Sequence, residues 1–234
     1  MNSAARPKAS VYNNNDLSIA KFPKNDDDFQ ITLWEAHALS LAGKAGIKVP
    51  EWRIEKILNK PVLILKRFDR KGKQRLPFIS AMSMLGAKDN EQHSYLEIAH
   101  AIIRCGAEPE RDLEELWRRM VFNICISNID DHLRNHGFLL NTPKGWELSP
   151  AYDLNPVSRL TSPNFHSLAI DQTSTEGQIE TAFSVVNEFR IKKDKAESIF
   201  ADVKHSVSEW QSIARSLGIS RQEMDRMETA FTVR

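Results

Sequence analysis

The chain has 234 residues, which is enough to bury one hydrophobic core or two small lobes. Its 32 Lys and Arg residues nearly balance 31 Asp and Glu residues, so the overall charge favours neither nucleic acid nor a membrane surface as a partner. There are two cysteines without regular spacing, no apolar signal peptide, and no apolar run of about 20 residues. These features predict a cytoplasmic protein without disulfides or membrane spans.

The first 70 residues are predicted to form strands around one helix. The strands are expected at residues 9–12 and 17–22, joined in one hairpin, and at residues 51–57 and 62–66, joined in a second hairpin by Asn59-Lys60-Pro61. Between the hairpins, a helix over residues 29–41 is expected to be capped by the acids at 26–28 and to end at Gly43.

From residue 78 onward the spacing of apolar residues becomes helical. Helices are expected at residues 92–105, 111–127, 178–187, 194–217 and 221–230, and short strands at residues 137–140 and 146–148. This order of elements predicts an α+β fold with the two lobes of a protein kinase. A small strand-rich lobe would cover residues 1–70, and a larger, mainly helical lobe would cover residues 71–234.

Acidic and amide side chains surround the hairpin that is predicted in the second lobe. Asp130 and Asn135 are five residues apart in a loop after an apolar helix, and Asp153 follows the hairpin. Protein kinases use the first Asp of such a pattern to orient and deprotonate the acceptor hydroxyl, and the Asn and the later Asp to ligate Mg²⁺. The pattern therefore predicts a phosphotransferase site with Asp130 as the catalytic carboxylate and Asn135 and Asp153 as metal ligands.

Each of these residues also has a structural interpretation. Asp130 could belong to an ordinary polar loop, and Asp153 could cap the turn that follows it. His132 and His136 lie four residues apart and invite a metal-hydrolase interpretation, but the glycine and apolar run after them favour a loop and a strand, and no third zinc ligand is suitably spaced. His132 is expected to contact phosphate or to make a structural hydrogen bond. Arg134 is either a phosphate contact or a solvated charge.

The strand-rich lobe offers candidates for nucleotide binding. Lys21 ends a strand, where kinases place the phosphate-binding amine, and Glu35 on the next helix could be its ion-pair partner. Composition alone favours two surface charges, and it is the downstream motif that supports the kinase interpretation of Lys21. Residues 63–70 pass from a buried strand into a charged segment, as an inter-lobe hinge would, and Phe68 could wall the adenine. Residues 3–10 are small and basic, which suits a phosphate-covering loop, although they contain no glycine.

Taken together, these segments resemble the HipA family of serine/threonine kinases, the toxins of bacterial HipBA-type toxin–antitoxin modules. The matching segments are Ala5-Arg-Pro-Lys-Ala9, Ile19-Ala-Lys-Phe-Pro23, Leu65-Lys-Arg-Phe-Asp-Arg70, Asn128-Ile-Asp-Asp-His-Leu-Arg-Asn-His-Gly137 and Pro150-Ala-Tyr-Asp-Leu-Asn-Pro156. The resemblance implies a kinase-like fold, ATP and Mg²⁺ as cofactors, and a protein substrate. Known members phosphorylate aminoacyl-tRNA synthetases, which arrests translation, and are restrained by a small DNA-binding antitoxin, usually of the helix-turn-helix type.

The resemblance also implies roles for individual residues. Asp130 matches the family's catalytic Asp, and Asn135 and Asp153 match its Mg²⁺ ligands. Lys21 matches its phosphate-binding Lys. The nucleotide-contacting segments of the family, including the adenine-facing hinge, correspond here to Lys66, Arg67, Phe68, His132, Arg134 and Tyr152.

The sequence departs from the family pattern in two places. Family members usually carry an N-terminal subdomain before the kinase core, and this sequence lacks it, so we expect either a separate small protein in its place or a truncated product. The glycine of the family's small-residue loop matches Ala4, and its autophosphorylated Ser would lie at or before Met1. These differences argue against regulation by autophosphorylation in this loop, and against tight ATP binding.

Three functions therefore compete. The first is an ATP-dependent serine/threonine protein kinase, because both acids and the amide are present. The second is a catalytically weak or inactive binding module of a toxin–antitoxin complex, suggested by the missing subdomain and the glycine-free loop. The third is a small-molecule kinase, which would use the same catalytic residues. None of them predicts direct contact with nucleic acid or with a membrane.

Overall fold

The structure, a computed structural model, describes residues 7–13, 16–24, 27, 29–72 and 74–231. Its N-terminal part is an antiparallel sheet with the strand order β1-β2-β4-β3, packed against one helix. These elements are β1 (Lys8–Asn13), β2 (Asp16–Lys21), α1 (Ile31–Lys44), β3 (Trp52–Ile57) and β4 (Lys60–Lys66). Both predicted hairpins are confirmed, with β1 paired to β2 and β3 paired to β4.

The turn of the second hairpin differs from the prediction. The chain reverses at Leu58 and Asn59, whose φ angles are +47° and +62°, and not over Asn59-Lys60-Pro61. A two-residue hairpin turn needs positive φ at both positions to match the twist of its strands, and Asn tolerates that conformation better than most residues. Lys60 and Pro61 are therefore free to join β4, where Pro61 lies opposite Lys56.

Helix α1 starts and stops later than predicted. Gly43 lies inside the helix, and the chain turns at Gly46, where φ is +79°. There the Gly46 N–H donates to the Gly43 carbonyl at 3.1 Å and the Ile47 N–H donates to the Ala42 carbonyl at 2.9 Å. This pair of bonds satisfies carbonyls of the last turn and explains why the second glycine, and not the first, ends the helix.

The predicted acidic cap of α1 is also wrong for Asp27, the one of the three acids that lies within the described part of the chain. Residues 26 and 28 lie outside the described part of the chain, and the Asp27 carboxylate accepts the Lys24 N–H at 2.8 Å. Glu223, from the C-terminal end of the chain, accepts the Gln30 N–H at 3.2 Å and the Trp34 indole N–H at 3.0 Å. A residue distant in sequence therefore takes the place of a local cap.

Two glycine substitutions at the C-terminal end of α1, one inside the helix and one just after it, should have opposite effects on stability. Gly46→Ala should lower the free energy of unfolding by about 1 kcal/mol, because it forces a side chain into a positive-φ position. Its Cβ would also lie 3.3 Å from Arg118 Nη1. Gly43→Ala should raise that free energy by about 0.5–1 kcal/mol, because alanine favours the helix; its Cβ meets only Val49, at 3.7 Å. Urea unfolding measures both, and equal destabilisation would contradict the assignment.

The remainder of the chain is mainly helical. Its elements are β5 (Arg70–Lys71), β6 (Gln74–Arg75), β7 (Phe78–Ser80), α2 (Ala81–Leu85), β8 (His93–Ser94), α3 (Tyr95–Cys105), α4 (Pro109–Cys125), β9 (Gly137–Thr142), β10 (Gly145–Leu148), β11 (Leu168–Ala169), α5 (Ile179–Ser184), α6 (Lys193–Ser208), α7 (Trp210–Ser216) and α8 (Arg221–Met227). Short 3₁₀ helices lie at Leu133–Asn135, Val186–Phe189 and Glu228–Phe231. The predicted helices at 92–105 and 111–127 and the hairpin β9–β10 are confirmed.

Other elements of this part differ from the prediction. Strand β7 pairs with β9 and extends the hairpin to a three-stranded sheet, which the sequence did not indicate. The single helix expected over residues 194–217 is two helices, α6 and α7, that meet at Glu209. This break lets the Trp210 ring stack on Phe231, with 4.7 Å between ring centroids. The helices expected at 178–187 and 221–230 are each a short α-helix followed by a 3₁₀ turn.

One apolar core connects the sheet to the helices. Leu63 of β4, Leu39 of α1 and Trp117 of α4 are fully buried members of the same cluster. Helix α1 is thereby held between the sheet and helices α6 and α7. Both cysteines are free, as predicted. Among the residues that the structure describes, no helix combines the length and apolar character needed to cross a bilayer.

Candidate active site

Lys21 connects the sheet, helix α1 and the segment after β10. At the end of β2, its Nζ lies 2.6 Å from Glu35 Oε1 and 2.9 Å from Asp153 Oδ1. Glu35 is held by the buried face of α1 and is only 4% exposed. Burial alone would lower the pKa of Lys21, but the two carboxylates outweigh it and raise that pKa, so the amine stays charged. The interpretation of Lys21 and Glu35 as unrelated surface charges is wrong.

Asp153 is held in an unusual backbone conformation. Its φ is +60°, a region that few residues other than glycine adopt and that is enriched at functional sites. Burial would raise the pKa of its carboxyl, but Lys21 outweighs this and lowers the pKa, so the group is ionised at neutral pH. In the alternative interpretation Asp153 caps the turn that follows it. The contact that supports this is long, at 3.5 Å between the Asn155 side-chain nitrogen and Asp153 Oδ1.

Asp130 and Asn135 lie in one loop between α4 and β9. The Asn135 side-chain amide donates to the Asp130 carbonyl at 3.3 Å, and the Asn135 N–H donates to the His132 carbonyl at 2.8 Å. These bonds close the loop and leave Asp130 at its surface, with its carboxylate partly open to solvent. The loop and the strand after it confirm that His132 and His136 do not share a helix face.

The carboxyl of Asp130 has a raised pKa. Partial burial is the main cause; the neighbouring carboxylates of Asp153 and Asp131 raise it further, and His132 opposes them. Such a shift moves the carboxylate towards the basicity that suits a general base.

The activity should show this shift as an acid limb. A base must be deprotonated, so kcat should fall as the pH drops through the pKa of Asp130, at a pH above the ordinary Asp value of about 3.9. Asp153 has a lowered pKa and should not titrate in that range. The measurement is kcat from pH 8 down to the ordinary Asp value of about 3.9, with circular dichroism at each pH to confirm folding. A flat profile while the protein remains folded would contradict Asp130 as the base.

A buried polar network that the sequence reasoning missed supports this loop. Asp131 is 2% exposed, and its Oδ2 accepts hydrogen bonds from Tyr95 Oη at 2.5 Å, His136 Nε2 at 2.8 Å and Asn123 Nδ2 at 2.9 Å. Burial would raise the pKa of Asp131, but His136 and Tyr95 outweigh it and lower the pKa. The paired acids in Asp-Asp-His were the signal in the sequence, yet nothing local showed that the second acid points into the core.

The same network reaches the segment of Asp153. Asn123 Oδ1 accepts from Asn128 Nδ2 at 3.1 Å, and Asn128 Oδ1 accepts the Asn155 N–H at 3.4 Å. Asn128 therefore lies between the loop of Asp130 and the turn that follows Asp153. Through Asn123 of α4, the two candidate catalytic segments share one buried anchor.

A cleft of about 450 Å³ separates the sheet from this loop. Ile19 and Leu65 line it from the sheet, and the rings of Phe68 and Tyr152, with 5.7 Å between centroids and an angle of 31°, line it further along. This apolar end suits a planar base. All the residues predicted to bind nucleotide or metal line this one cleft: Lys21, Lys66, Arg67, Phe68, His132, Arg134, Asn135, Tyr152 and Asp153. Asp130 lines an adjoining cavity that shares Lys21 and Asp153 with it.

The hinge segment is partly engaged with the protein itself. The N–H of Lys66 donates to the Glu51 carbonyl at 2.9 Å, and the N–H of Arg67 donates to the Leu17 carbonyl at 3.0 Å. These two N–H groups are therefore not available to an adenine. The Lys66 amine pairs with Asp16 at 2.8 Å on the surface.

The two arginines among the candidates are also paired. Arg67 makes a two-pronged contact with Asp69, with distances of 2.7 and 2.6 Å, and Arg134 lies 2.6 Å from Asp89. Arg134 is thus paired with a carboxylate of the chain and is not a purely solvated charge. Its pair is exposed on both sides, and an exposed pair of this kind contributes little stability, so a phosphate could compete for the guanidinium.

The phosphate-covering loop expected over residues 3–10 is only partly within the described chain. Residues 3–6 lie outside it. Lys8, Ala9 and Ser10 are not in a loop, because they belong to β1 and pair with the end of β2. Lys8 nevertheless lines the cleft and contributes a basic side chain to it.

The residues around the cleft fit Mg²⁺ that arrives with a nucleotide. Mg²⁺ prefers oxygen ligands and usually takes only one or two carboxylates, with phosphates and water completing its shell. Asp153 offers a carboxylate, and Asn135 offers its amide oxygen, since its amide nitrogen is bonded to Asp130. Within the described ranges, no group of three or more His, Cys, Asp or Glu side chains could hold a metal alone. Asn135 and Asp153 therefore suit a shared metal–nucleotide site.

Comparisons with known proteins agree with this geometry. A family model described as the HipA-like C-terminal domain matches residues 3–210. A Haemophilus influenzae protein named "Putative kinase" is 34% identical over 107 residues, which cover 41% of this chain and 31% of that protein. The chain therefore spans well under two thirds of that relative.

Two solved structures share the fold. HipA of Shewanella oneidensis, from a complex with HipB and operator DNA, superposes with a TM-score of 0.77 at 17% identity, covering 99% of this chain and 62% of that one. The Helicobacter pylori proinflammatory kinase CtkA superposes with a TM-score of 0.62 at 17% identity, covering 99% and 92%. At this identity the likeness concerns the fold alone, and the predicted two-lobed, kinase-like α+β fold is confirmed.

Proposed function

Because the chain belongs to the family of HipA-like C-terminal domains, we propose that it is a serine/threonine protein kinase that uses ATP and Mg²⁺. Membership confirms the resemblance predicted from the sequence and indicates a kinase. The proposal adds the nucleotide, the metal and a protein hydroxyl as acceptor. An aminoacyl-tRNA synthetase, the substrate class that the resemblance implies, is the first acceptor to examine.

The observation that carries this proposal is the position of Lys21. Its amine lies between Glu35 and Asp153, in a cleft whose far end is aromatic. Such an amine can neutralise the α- and β-phosphates of a nucleotide, while Phe68 and Tyr152 flank the base. Lys66, Arg67, His132 and Arg134 would complete the nucleotide contacts around them.

The chain's own residues account for the chemistry as follows. Asp130 orients the acceptor hydroxyl and accepts its proton as the hydroxyl oxygen bonds to the γ-phosphorus and the bond to the bridging oxygen breaks, with ADP as the leaving group. Asn135 and Asp153 would hold Mg²⁺, which neutralises charge on the phosphates. Lys21 stays protonated throughout, because two carboxylates raise its pKa.

The partners follow from the same family. The Shewanella structure contains HipA with HipB and operator DNA, and we propose a small helix-turn-helix antitoxin as partner here. This chain covers 62% of that HipA. We further propose that a separate protein with an N-terminal subdomain can bind this chain. We also propose a cytoplasmic location, and a boundary between the two lobes near residue 70.

The test is transfer of labelled phosphate. The purified chain is incubated with γ-labelled ATP in a bacterial translation extract, with Mg²⁺ or with EDTA. Asp153→Ala serves as the test variant, and Asp194→Asn, an exposed acid at the start of α6, serves as the matched control. We expect a labelled protein that depends on Mg²⁺ and on Asp153 but not on Asp194. Mass spectrometry of that band then identifies the acceptor and the phosphorylated residue type.

The other two functions give different results. Binding of ATP without labelled protein, also after addition of a candidate N-terminal partner, would favour the binding module. Label on a small molecule without any protein acceptor would favour a metabolite kinase. Label that persists in EDTA would contradict the metal requirement.

A further inference from the structure

A second cavity, of about 700 Å³, adjoins the nucleotide cleft. It shares Lys21 and Asp153 with that cleft but is lined by neither Phe68 nor Tyr152. Asp130 lines this cavity and not the nucleotide cleft. If the nucleotide occupies the cleft, the acceptor hydroxyl must reach Asp130 through the second cavity.

We call this cavity the acceptor groove and define it by Asp130, Val157, Thr161, Ser162, Phe165 and Met227. One of its walls is the segment from Asn155 to Ser167, which is fixed to the catalytic loop at both ends. The Val157 N–H donates to the Ser127 carbonyl at 3.2 Å, and the Ser167 N–H donates to the Ile129 carbonyl at 2.8 Å. The groove is therefore formed before any acceptor binds.

The middle of this wall is fixed to the end of the chain. Ser158 Oγ donates to the Arg226 carbonyl at 2.7 Å, and Thr229 Oγ1 accepts the Arg159 N–H at 3.1 Å. Bonds at both ends and in the middle leave little freedom for the segment to reshape around different acceptors. The chemical character of its side chains should then decide what binds.

That character is apolar and uncharged along the wall. The charged residues of the lining come from other segments, whereas residues 155–167 contribute apolar groups, amides and hydroxyls. These charged residues are Lys8, Lys21, Lys24, Glu35, Asp130 and Asp153. Phe165 is 55% exposed and also borders a separate cavity of about 570 Å³, so much of its ring faces solvent. An exposed aromatic ring at the lip of an apolar groove is a common anchor for a partner's side chain.

We propose that the acceptor groove binds an extended polypeptide segment, with its Ser or Thr hydroxyl at Asp130 and a nearby apolar side chain packed on Phe165. This inference rests on the proposed kinase function and specifies its substrate class. Lys8, Lys21 and Lys24 also line the cavity, but residues 155–167 contribute no charged side chain to it, so a phosphorylated metabolite or an acidic peptide would find no cation along this wall. A neutral segment with an apolar residue matches the wall without leaving a charge unpaired.

The test uses synthetic peptides with a single Ser or Thr, flanked at varied distances by Leu, by Asp or by Lys. Phosphate transfer by the full chain is measured with Phe165→Ala, and with Leu160→Ala as the matched control. Leu160 lies on the same segment and is 74% exposed, but it does not line the groove. Phe165→Leu, which keeps an apolar side chain, is a second variant that guards against a folding defect.

We expect peptides with a flanking Leu to be the best substrates. Phe165→Ala should raise their KM about 10-fold with kcat little changed, which is what losing roughly half of a buried aromatic contact predicts. KM for ATP, and transfer to peptides without an apolar flank, should stay within about 2-fold of wild type, as should all constants for Leu160→Ala. Phe165→Leu should recover most of the loss.

Three results would overturn the inference. If the wild type transfers phosphate to peptides and Phe165→Ala leaves the peptide KM unchanged, Phe165 is not an anchor for the acceptor. The proposed kinase function would then still stand. A preference for peptides with Asp or Lys flanks would likewise overturn the inference and leave the kinase function standing. No transfer to any peptide or protein by the wild type would overturn the kinase function itself, and the inference with it.

Discussion

Asp130→Asn should lower kcat for phosphate transfer about 10³-fold, because general base catalysis of this kind contributes 10²–10⁴-fold. The amide keeps the size and position of the carboxylate but cannot accept the proton of the attacking hydroxyl. Asp130 lines the acceptor groove and not the nucleotide cleft, so the affinity for ATP should change by less than about 3-fold.

Single-turnover transfer and a separate ATP-binding titration measure the two effects. Asp194→Asn again controls for the loss of one negative charge. Equal losses in ATP affinity and in kcat would contradict the assigned role, because they would place Asp130 among the nucleotide contacts. Retention of kcat within 5-fold would show that another group accepts the proton.

Asp131→Ala should be the most destabilising single change in the loop, lowering the free energy of unfolding by about 3–5 kcal/mol. The substitution removes the acceptor shared by Tyr95, Asn123 and His136. The buried Tyr95 hydroxyl and His136 ring nitrogen lose this partner, whereas the Asn123 amide keeps its bond to Tyr95 Oη at 3.1 Å. Asp131→Asn should cost less, since one amide oxygen can still accept.

Urea unfolding at pH 7 measures this loss. Asp89→Ala, which breaks the exposed pair with Arg134, is the control and should leave stability nearly unchanged. The pKa of Asp131 is lowered in the folded state, so its contribution is present above the unfolded value of about 3.9 and is lost as the pH falls through the folded pKa. A loss of stability similar to that of Asp89→Ala would contradict a cooperative network.

The candidate site was predictable because its residue spacings are local. Asp130 and Asn135 lie in one loop, and Asp153 follows a hairpin whose strands alternate clearly, so the pattern was visible without knowing the fold. The candidate role of Lys21 could not be predicted from its own surroundings in the sequence and depended on the downstream motif. Its distance to Asp153 is set by how the sheet packs on the helices.

Other features depended on contacts between distant residues. Two of the three donors to Asp131 come from α3 and α4, and nothing at Tyr95 or Asn123 in the sequence marks either residue as polar support. Strand β7 has only three residues, which is too short to give a periodic pattern in the sequence. It is stabilised by pairing with β9. Gly43 and Gly46 lie close together, and only the backbone bonds decide which one ends α1.

Helix α1 has a consequence for how such an enzyme can be switched off. Its Leu41 carbonyl accepts from Ser206 Oγ at 2.6 Å, its His37 ring hydrogen-bonds the Trp210 carbonyl at 2.8 Å, and Glu223 holds its first turn. An inhibitor that works by swinging this helix, and Glu35 with it, would have to break open the core of the protein. Blocking the nucleotide cleft or the acceptor groove from outside does not require the core to open. An inhibitor of this chain should therefore act by occluding the site and not by displacing the helix.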